Sequence, residues 1–247
     1  MKKEEYQVLY NLEDHYWWYL KLRELVISSL NWLYPQRNLK ILDAGCGTGG
    51  MLKCLNGFDA IGLELSPEAI KFCKKRGLKN VVQGSVTNLP FPDDYFDVVT
   101  SLDVLYHMDV EDDEKALQEA HRVLNDNGRL LLHLPAYNFL TSEHDVAIGS
   151  KHRYTKGELR RKLKNQDFEI EKISYRNTIL FPVIFIARMF KKLGVKNRAN
   201  ISSDLKLLPK GLNYFLASIL SIENRLLQRR GLPFGLSLFC IARKVKK

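Results

Sequence analysis

The sequence predicts an α/β fold, a doubly wound sheet of parallel strands with helices on both faces and a helical appendage. Three observations carry this expectation. Between residues 39 and 134, five apolar strand-like runs alternate with amphipathic helical patterns over short links, as in parallel sheets built from βαβ units. The first run, residues 39–44, ends at Asp43-Ala44 and passes straight into Gly45-Cys46-Gly47-Thr48-Gly49-Gly50, so a buried strand delivers a ligand-binding loop that bare glycines open to close approach. With 247 residues, 45% hydrophobic and 27% charged, the chain can form one large domain with an addition.

Taken in order, residues 4–33 form an opening helical region in which Leu22, Leu25, Val26, Ser29 and Leu30 keep an i, i+3, i+4 rhythm. Ahead of that stripe stand five consecutive ring-bearing side chains, His15, Tyr16, Trp17, Trp18 and Tyr19, too many for one helix face. They either clamp the helix over the sheet or form a lid in which Trp17 or Trp18 covers a ligand. Beyond the glycine loop, a short helix over 51–55 offers free N–H groups to a carboxylate. Residues 59–64 form the second strand and end at Glu64, about 20 residues past the first glycine, where an acid can accept from ribose hydroxyls.

Ser66 caps the next helix, Pro67 fits its first turn and Gly77 ends it. A third strand over 80–84 leads to Ser85 and Val86, and a fourth over 96–101 leads to Leu102 and His107. His107 is either a proton acceptor or a helix cap. A helix over 111–124 and a turn at Asn125-Asp126-Asn127-Gly128 precede a fifth strand over 129–134. Thr155 caps a helix over 156–165, and residues 168–175 and 236–243 supply the sixth and seventh strands. Ligands should gather at the carboxyl ends of strands one, two and four.

The loop after strand five gathers His144, Asp145, His152, Arg153 and Tyr154, a mixture able to deprotonate a hydroxyl and hold an anion. His144 and Asp145 could instead brace the loop. Their spacing with His152 matches no recognised metal set, and no metal is expected.

The glycine pattern alone also satisfies the dinucleotide fingerprint. Asp43, Gly49, Leu89-Pro90-Phe91 and Phe96-Asp97-Val98-Val99 sharpen it, and residues 39–175 resemble class I S-adenosylmethionine-dependent methyltransferases. The pattern Pro135-Ala136, His144-Asp145 and His152-x-Tyr154-Thr155 is similar to a type 11-like subgroup. The resemblance implies a Rossmann-like, seven-stranded sheet with its last strand antiparallel beside the fifth, and S-adenosylmethionine as cofactor. It implies that Asp43, Gly45, Cys46, Gly47 and Gly49 hold the amino-acid part, Glu64 and Leu65 the ribose, and Ser85 and Val86 the base, with Leu102 and Trp17 completing the pocket. Ser85 stands where the family commonly has an acid, so the Val86 amide and apolar contacts should carry the base. No Asn/Asp-Pro-Pro-aromatic tetrad follows strand four, which counts against methylation of nucleobase amino groups.

Between residues 179 and 230, ten Lys or Arg against Asp204 and Glu223 supply +8 of the net +10. Residues 179–187 are too short, and broken by Pro182, to span a bilayer. Leu212, Phe215, Leu216, Ile219, Ile222 and Leu226 form a helical stripe with Arg225, Arg229 and Arg230 near its end, either a cap over the substrate or a membrane-surface element. The expected organisation is a helical lid (1–38), a cofactor-binding core (39–178), a basic helical cap (179–230) and a final core strand (231–247). Four scattered cysteines without a Cys-x-x-Cys pair fit a reducing compartment, and the polar start carries no secretory pattern.

The expected function is methyl transfer to oxygen of a small-molecule, glycan or lipid-linked acceptor, by a cytoplasmic protein with peripheral membrane contact through residues 179–230. Nucleic acid is not the expected acceptor. His107, His144, Asp145, His152 and Tyr154 are the candidate catalytic residues, with a neutral histidine as base. Two rivals remain: an NAD(P)-dependent oxidoreductase, which shares the loop and Glu64 but not segments 89–91 and 96–99, and a noncatalytic cofactor-binding scaffold at a membrane or RNA.

Overall fold

The strand that runs into the glycine loop lies in the middle of the sheet. The computed structural model describes residues 3–36, 38–193 and 207–246. Helices α1 (Lys3–Leu12) and α2 (Trp17–Leu33) precede β1 (Lys40–Ala44), α3 (Gly50–Cys54), β2 (Asp59–Glu64), α4 (Pro67–Lys75), β3 (Val81–Gln83) and β4 (Phe96–Leu102). Then follow α5 (Asp113–Val123), β5 (Leu124–Pro135), α6 (Glu143–Ile148), α7 (Lys156–Asn165), β6 (Phe168–Arg176), α8 (Phe181–Leu193), α9 (Lys210–Arg229) and β7 (Ser237–Lys244).

The seven strands run β3-β2-β1-β4-β5-β7-β6. β1 pairs in parallel with β2 and β4, whereas β7 is antiparallel to both β5 and β6. Alternation along β1 feeds two cores: Leu42 packs with Val99, Leu117 and Leu132 on one face, and Ile41 packs with Leu25, Val98 and Leu131 on the other. Burial on both faces explains why these strands read as continuous apolar runs.

The opening helical region is two helices, with Glu13 in the break between them. α2 has no side-chain cap of its own at Tyr16. α9 supplies one: Asn213 Oδ1 accepts from the Trp17 N–H at 3.0 Å, and Asn213 Nδ2 donates to the His15 carbonyl at 2.9 Å. Farther along, Asn224 Nδ2 donates to the Lys21 carbonyl at 2.8 Å and Gln228 Nε2 to Ser28 Oγ at 2.7 Å. The face of α9 turned inward is therefore Leu220, Glu223, Asn224 and Leu227, and not the apolar stripe expected from the sequence. Leu212, Phe215 and Ile222 of that stripe are exposed, because polar side chains that satisfy α2 occupy the interface.

Of the basic segment, residues 194–206 lie outside the described residues, and with them Lys196, Arg198 and Lys206. Among the described residues no helix is long and apolar enough to cross a membrane. Replacing Asn213 with Ala removes both contacts to the start of α2, so stability should fall by about 1–2 kcal/mol. Thermal denaturation measures the loss, and hydrogen exchange should show it concentrated at residues 15–19.

Candidate active site

The glycine loop owes its shape to two backbone positions. Gly45 has φ 85°, and a Cβ there would run into the Val104 side chain. Gly47 has φ 56° and donates its N–H to Glu64 Oε2 at 2.9 Å. The amides of Gly45 and Cys46 both donate to the Leu63 carbonyl, at 2.8 and 2.9 Å, so the loop is fastened to the end of β2.

Above the loop lies a cavity of about 450 Å³, within the range usual for small-molecule sites. Asp43, Gly45, Cys46, Gly47, Glu64, Leu65, Ser85, Val86, Leu102 and Trp17 all contribute to its wall, as does His107. Burial, reinforced by Glu13 and Glu64, pushes the Asp43 carboxyl up to about 7 despite a 2.9 Å hydrogen bond from Thr100 Oγ1. Its second oxygen is buried and has no partner among the described residues. Glu64 accepts from the Gly47 and Ser66 amides at 2.9 Å each, and burial raises its pKa as well. Such a wall suits a cationic ligand such as S-adenosylmethionine.

The roof comes from the N-terminal helices. Tyr16, Trp17, Trp18 and Tyr19 line the cavity at the start of α2, and Ile184 and Arg188 reach it from α8. The roof is locked to the floor through Glu13. Its carboxylate takes hydrogen bonds from Thr48 Oγ1 and, at 2.7 Å, from Arg76 Nη2, and it lies 3.8 Å from Arg23 Nη1. Arg76 also donates to the Thr48 carbonyl at 2.8 Å and to Asp14 Oδ2 at 2.6 Å. Gly50 sits where any Cβ would collide with Glu13.

The far wall contains Tyr106, His107, His133 and the Asp145–Arg153 pair. Burial lowers the His107 pKa to about 4, which keeps it neutral but makes it a weaker base. His133, read from the sequence only as part of a strand, is fully buried, and its Nδ1 is 2.9 Å from Asp103 Oδ1. Both residues sit at the carboxyl ends of adjacent central strands, the signal that could have found them.

Several expected positions differ. Gly49 is off the cavity wall and serves the turn into α3. Tyr154 is a core residue: it is fully buried, and its hydroxyl donates to Asp113 Oδ2 at 2.5 Å. His152 is also off the cavity wall, its ring against Tyr154 and its Nε2 3.3 Å from Glu158. Asp145 lines the cavity, but both its oxygens are engaged, by Arg153 Nε and Nη2 at 2.9 and 3.0 Å and by Ser142 Oγ at 2.8 Å. His144 is on α6, and its side chain lies outside the described residues.

A parallel α/β sheet with a glycine loop on its first strand and an acid on its second defines a protein that binds a nucleoside cofactor. The family described as "Methyltransferase domain" matches residues 42–132. An uncharacterized protein of Methanocaldococcus jannaschii is 30% identical over 172 residues, 66% of this chain and 70% of that protein. The uncharacterized methyltransferase YcgJ of Bacillus subtilis is 35% identical over 101 residues, 38% of this chain and 39% of YcgJ. The crystal structure of YcgJ shares the fold, with a TM-score of 0.58 at 19% identity over 91% of this chain and 99% of that one. The tRNA (carboxymethyluridine(34)-5-O)-methyltransferase of Arabidopsis thaliana is 37% identical over 93 residues, 37% of this chain and 23% of that protein. The chain belongs to the class I S-adenosylmethionine-dependent methyltransferases, and its cofactor is S-adenosylmethionine.

Two outcomes follow from these contacts. Glu13→Ala leaves Arg76 and Arg23 short of a buried partner and should cost about 3–5 kcal/mol in thermal or urea unfolding. Between the ordinary Asp value of 3.8 and about 7, the native state without donor holds a proton on Asp43 that the unfolded chain releases, so its contribution to stability falls as pH rises. Cationic donor binding needs the ionised form. Affinity measured by calorimetry should therefore weaken by up to about tenfold per pH unit below about 7, with a proton released on binding, and Asp43→Asn should remove that slope.

Proposed function

We propose that the enzyme methylates a small-molecule, glycan or lipid-linked acceptor at oxygen. The observation that carries this reading is one roofed cavity in which the glycine-loop wall continues into a wall of aromatic and imidazole side chains, Trp18, Tyr19, Tyr106, His107 and His133. The cavity of about 450 Å³ has to take the donor as well, which leaves room for a compact acceptor or one slender group of a larger molecule. When bound, S-adenosylmethionine supplies a methyl group activated by positively charged sulfur. In this reading Asp43, Gly45, Cys46 and Gly47 hold the amino-acid part, Glu64 and Leu65 the ribose, and Ser85, Val86 and Leu102 the base. Trp17 covers the site, and the neutral His107 orients the acceptor.

Residues 1–38 would then serve as lid and residues 179–230 as cap. Exposed Val183 and Ile186 on α8, and Tyr214 and Phe215 on α9, together with exposed Arg225, Arg229 and Arg230, support contact of the cap with an anionic membrane surface and hence a lipid-linked acceptor. A second reading, a tRNA nucleoside as acceptor, is favoured by the partial match to a tRNA methyltransferase and by the net charge of +10.

Transfer of a labelled methyl group from S-adenosylmethionine to a cell extract separated into lipid, small polar, protein and RNA fractions decides between them. Label in the lipid or small polar fraction is the expected result. Label confined to RNA favours the second reading, and no label anywhere, with the donor measurably bound, overturns methyl transfer to any of these acceptors.

A further inference from the structure

We propose that the Asp103–His133 pair is the proton-accepting device of this site, with His133 the catalytic base and Asp103 its positioning residue. The inference rests on the oxygen-acceptor reading and deepens it: the acceptor carries a hydroxyl on an aromatic or otherwise apolar body.

Three features of the pair distinguish it from an ordinary core histidine. His133 is fully buried and forms part of the cavity wall, yet its Nε2 has no hydrogen-bond partner. A buried ring nitrogen without a partner is uncommon, and here the residue that carries it lines the cavity. The second feature is the orientation of the ring. Asp103 Oδ1 lies 2.9 Å from Nδ1, and a carboxylate only accepts, so the proton belongs on Nδ1 and the Nε2 lone pair is left for a ligand. Third, Asp103 itself is held by its backbone: its N–H donates to the His133 carbonyl at 2.8 Å, and its φ of 58° is uncommon outside glycine. The main chain and the side chain of Asp103 thus grip the same histidine.

The surroundings fit an acceptor that is neutral until it reacts. Trp18 meets the His133 ring edge-on with centroids 6.2 Å apart, and the guanidinium of buried Arg176 lies 5.7 Å from the Trp18 ring. Trp17, Tyr19 and Tyr106 complete an apolar wall. In the reaction the acceptor oxygen bonds to the methyl carbon while the carbon–sulfur bond breaks and its electron pair returns to sulfur, leaving S-adenosylhomocysteine. The hydroxyl proton passes to His133 Nε2, the imidazolium is held by Asp103, and the proton leaves to solvent before the next cycle. His107, whose pKa burial lowers, contributes a hydrogen bond and not proton acceptance.

Two measurements on the full chain test this. Long-range ¹H–¹⁵N correlation spectra at pH 7, with S-adenosylhomocysteine bound, should show His133 protonated at Nδ1 and free at Nε2, with Asp103→Asn disturbing that preference. Protonation at Nε2 overturns the proposal. In transfer to the extract fractions, His133→Asn should lose at least about 100-fold in rate, the low end of general-base effects, while donor affinity is kept. A smaller loss overturns the proposal, and so does label found at nitrogen or carbon of the product. If the wild-type protein labels no fraction, the oxygen-acceptor reading fails, and the proton-accepting role fails with it whatever the tautomer.

Discussion

One buried carboxylate, Glu13, connects what would otherwise be separate parts. It stands between the two N-terminal helices and receives Thr48 of the glycine loop, Arg76 at the end of α4 and Arg23 of α2. An isolated buried charge is costly, so the three partners are drawn to one point and the roof is fixed over the loop. The cavity inherits its depth from this junction, because without the roof the carboxyl ends of β1, β2 and β4 would open to water. Burial of Asp43 and Glu64, and the displacement of their pKa values, thus depends partly on Glu13, whose charge also raises the Asp43 value directly.

How far the sequence could be read depends on the range of the forces involved. β1, β2 and β4 were legible because both faces are buried and the chain has to be apolar throughout, and α4 and α7 were legible because Ser66 and Thr155 cap them locally. The donor half of the cavity was legible for a related reason: Asp43, Gly45, Gly47 and Glu64 belong to two short stretches whose spacing is set by one strand and one turn. Glu13 gave no signal, since its partners are 10, 35 and 63 residues away. The Asp103–His133 pair was hidden in the same way, with His133 inside a strand pattern and Asp103 after another, 30 residues apart.

α9 was misread for a different reason. Its apolar stripe would ordinarily mark the buried face, but Asn213, Asn224 and Gln228 bond to the backbone and a hydroxyl of α2, and those contacts turn an adjacent side inward. Tyr154 and His152 stand close to the cavity in sequence but not in space. The loop that carries them folds back so that Tyr154 fills the core between β4 and α5, bonded to Leu105 and Asp113. Chemical suitability for catalysis was visible in that loop, whereas its path was not.

The antiparallel strand β7 has an effect on how this protein can diverge. Its first residue, Ser237, pairs directly with Arg176, the last residue of β6, so the chain leaves the sheet and rejoins it at neighbouring positions. A chain excursion whose two ends are already side by side can be lengthened, shortened or exchanged at small entropic cost. The strands that carry the glycine loop and Glu64 lie elsewhere in the sheet, beyond β4 and β5. The chain between β6 and β7 can therefore change in length or sequence without disturbing the pairing of the strands that carry the donor site.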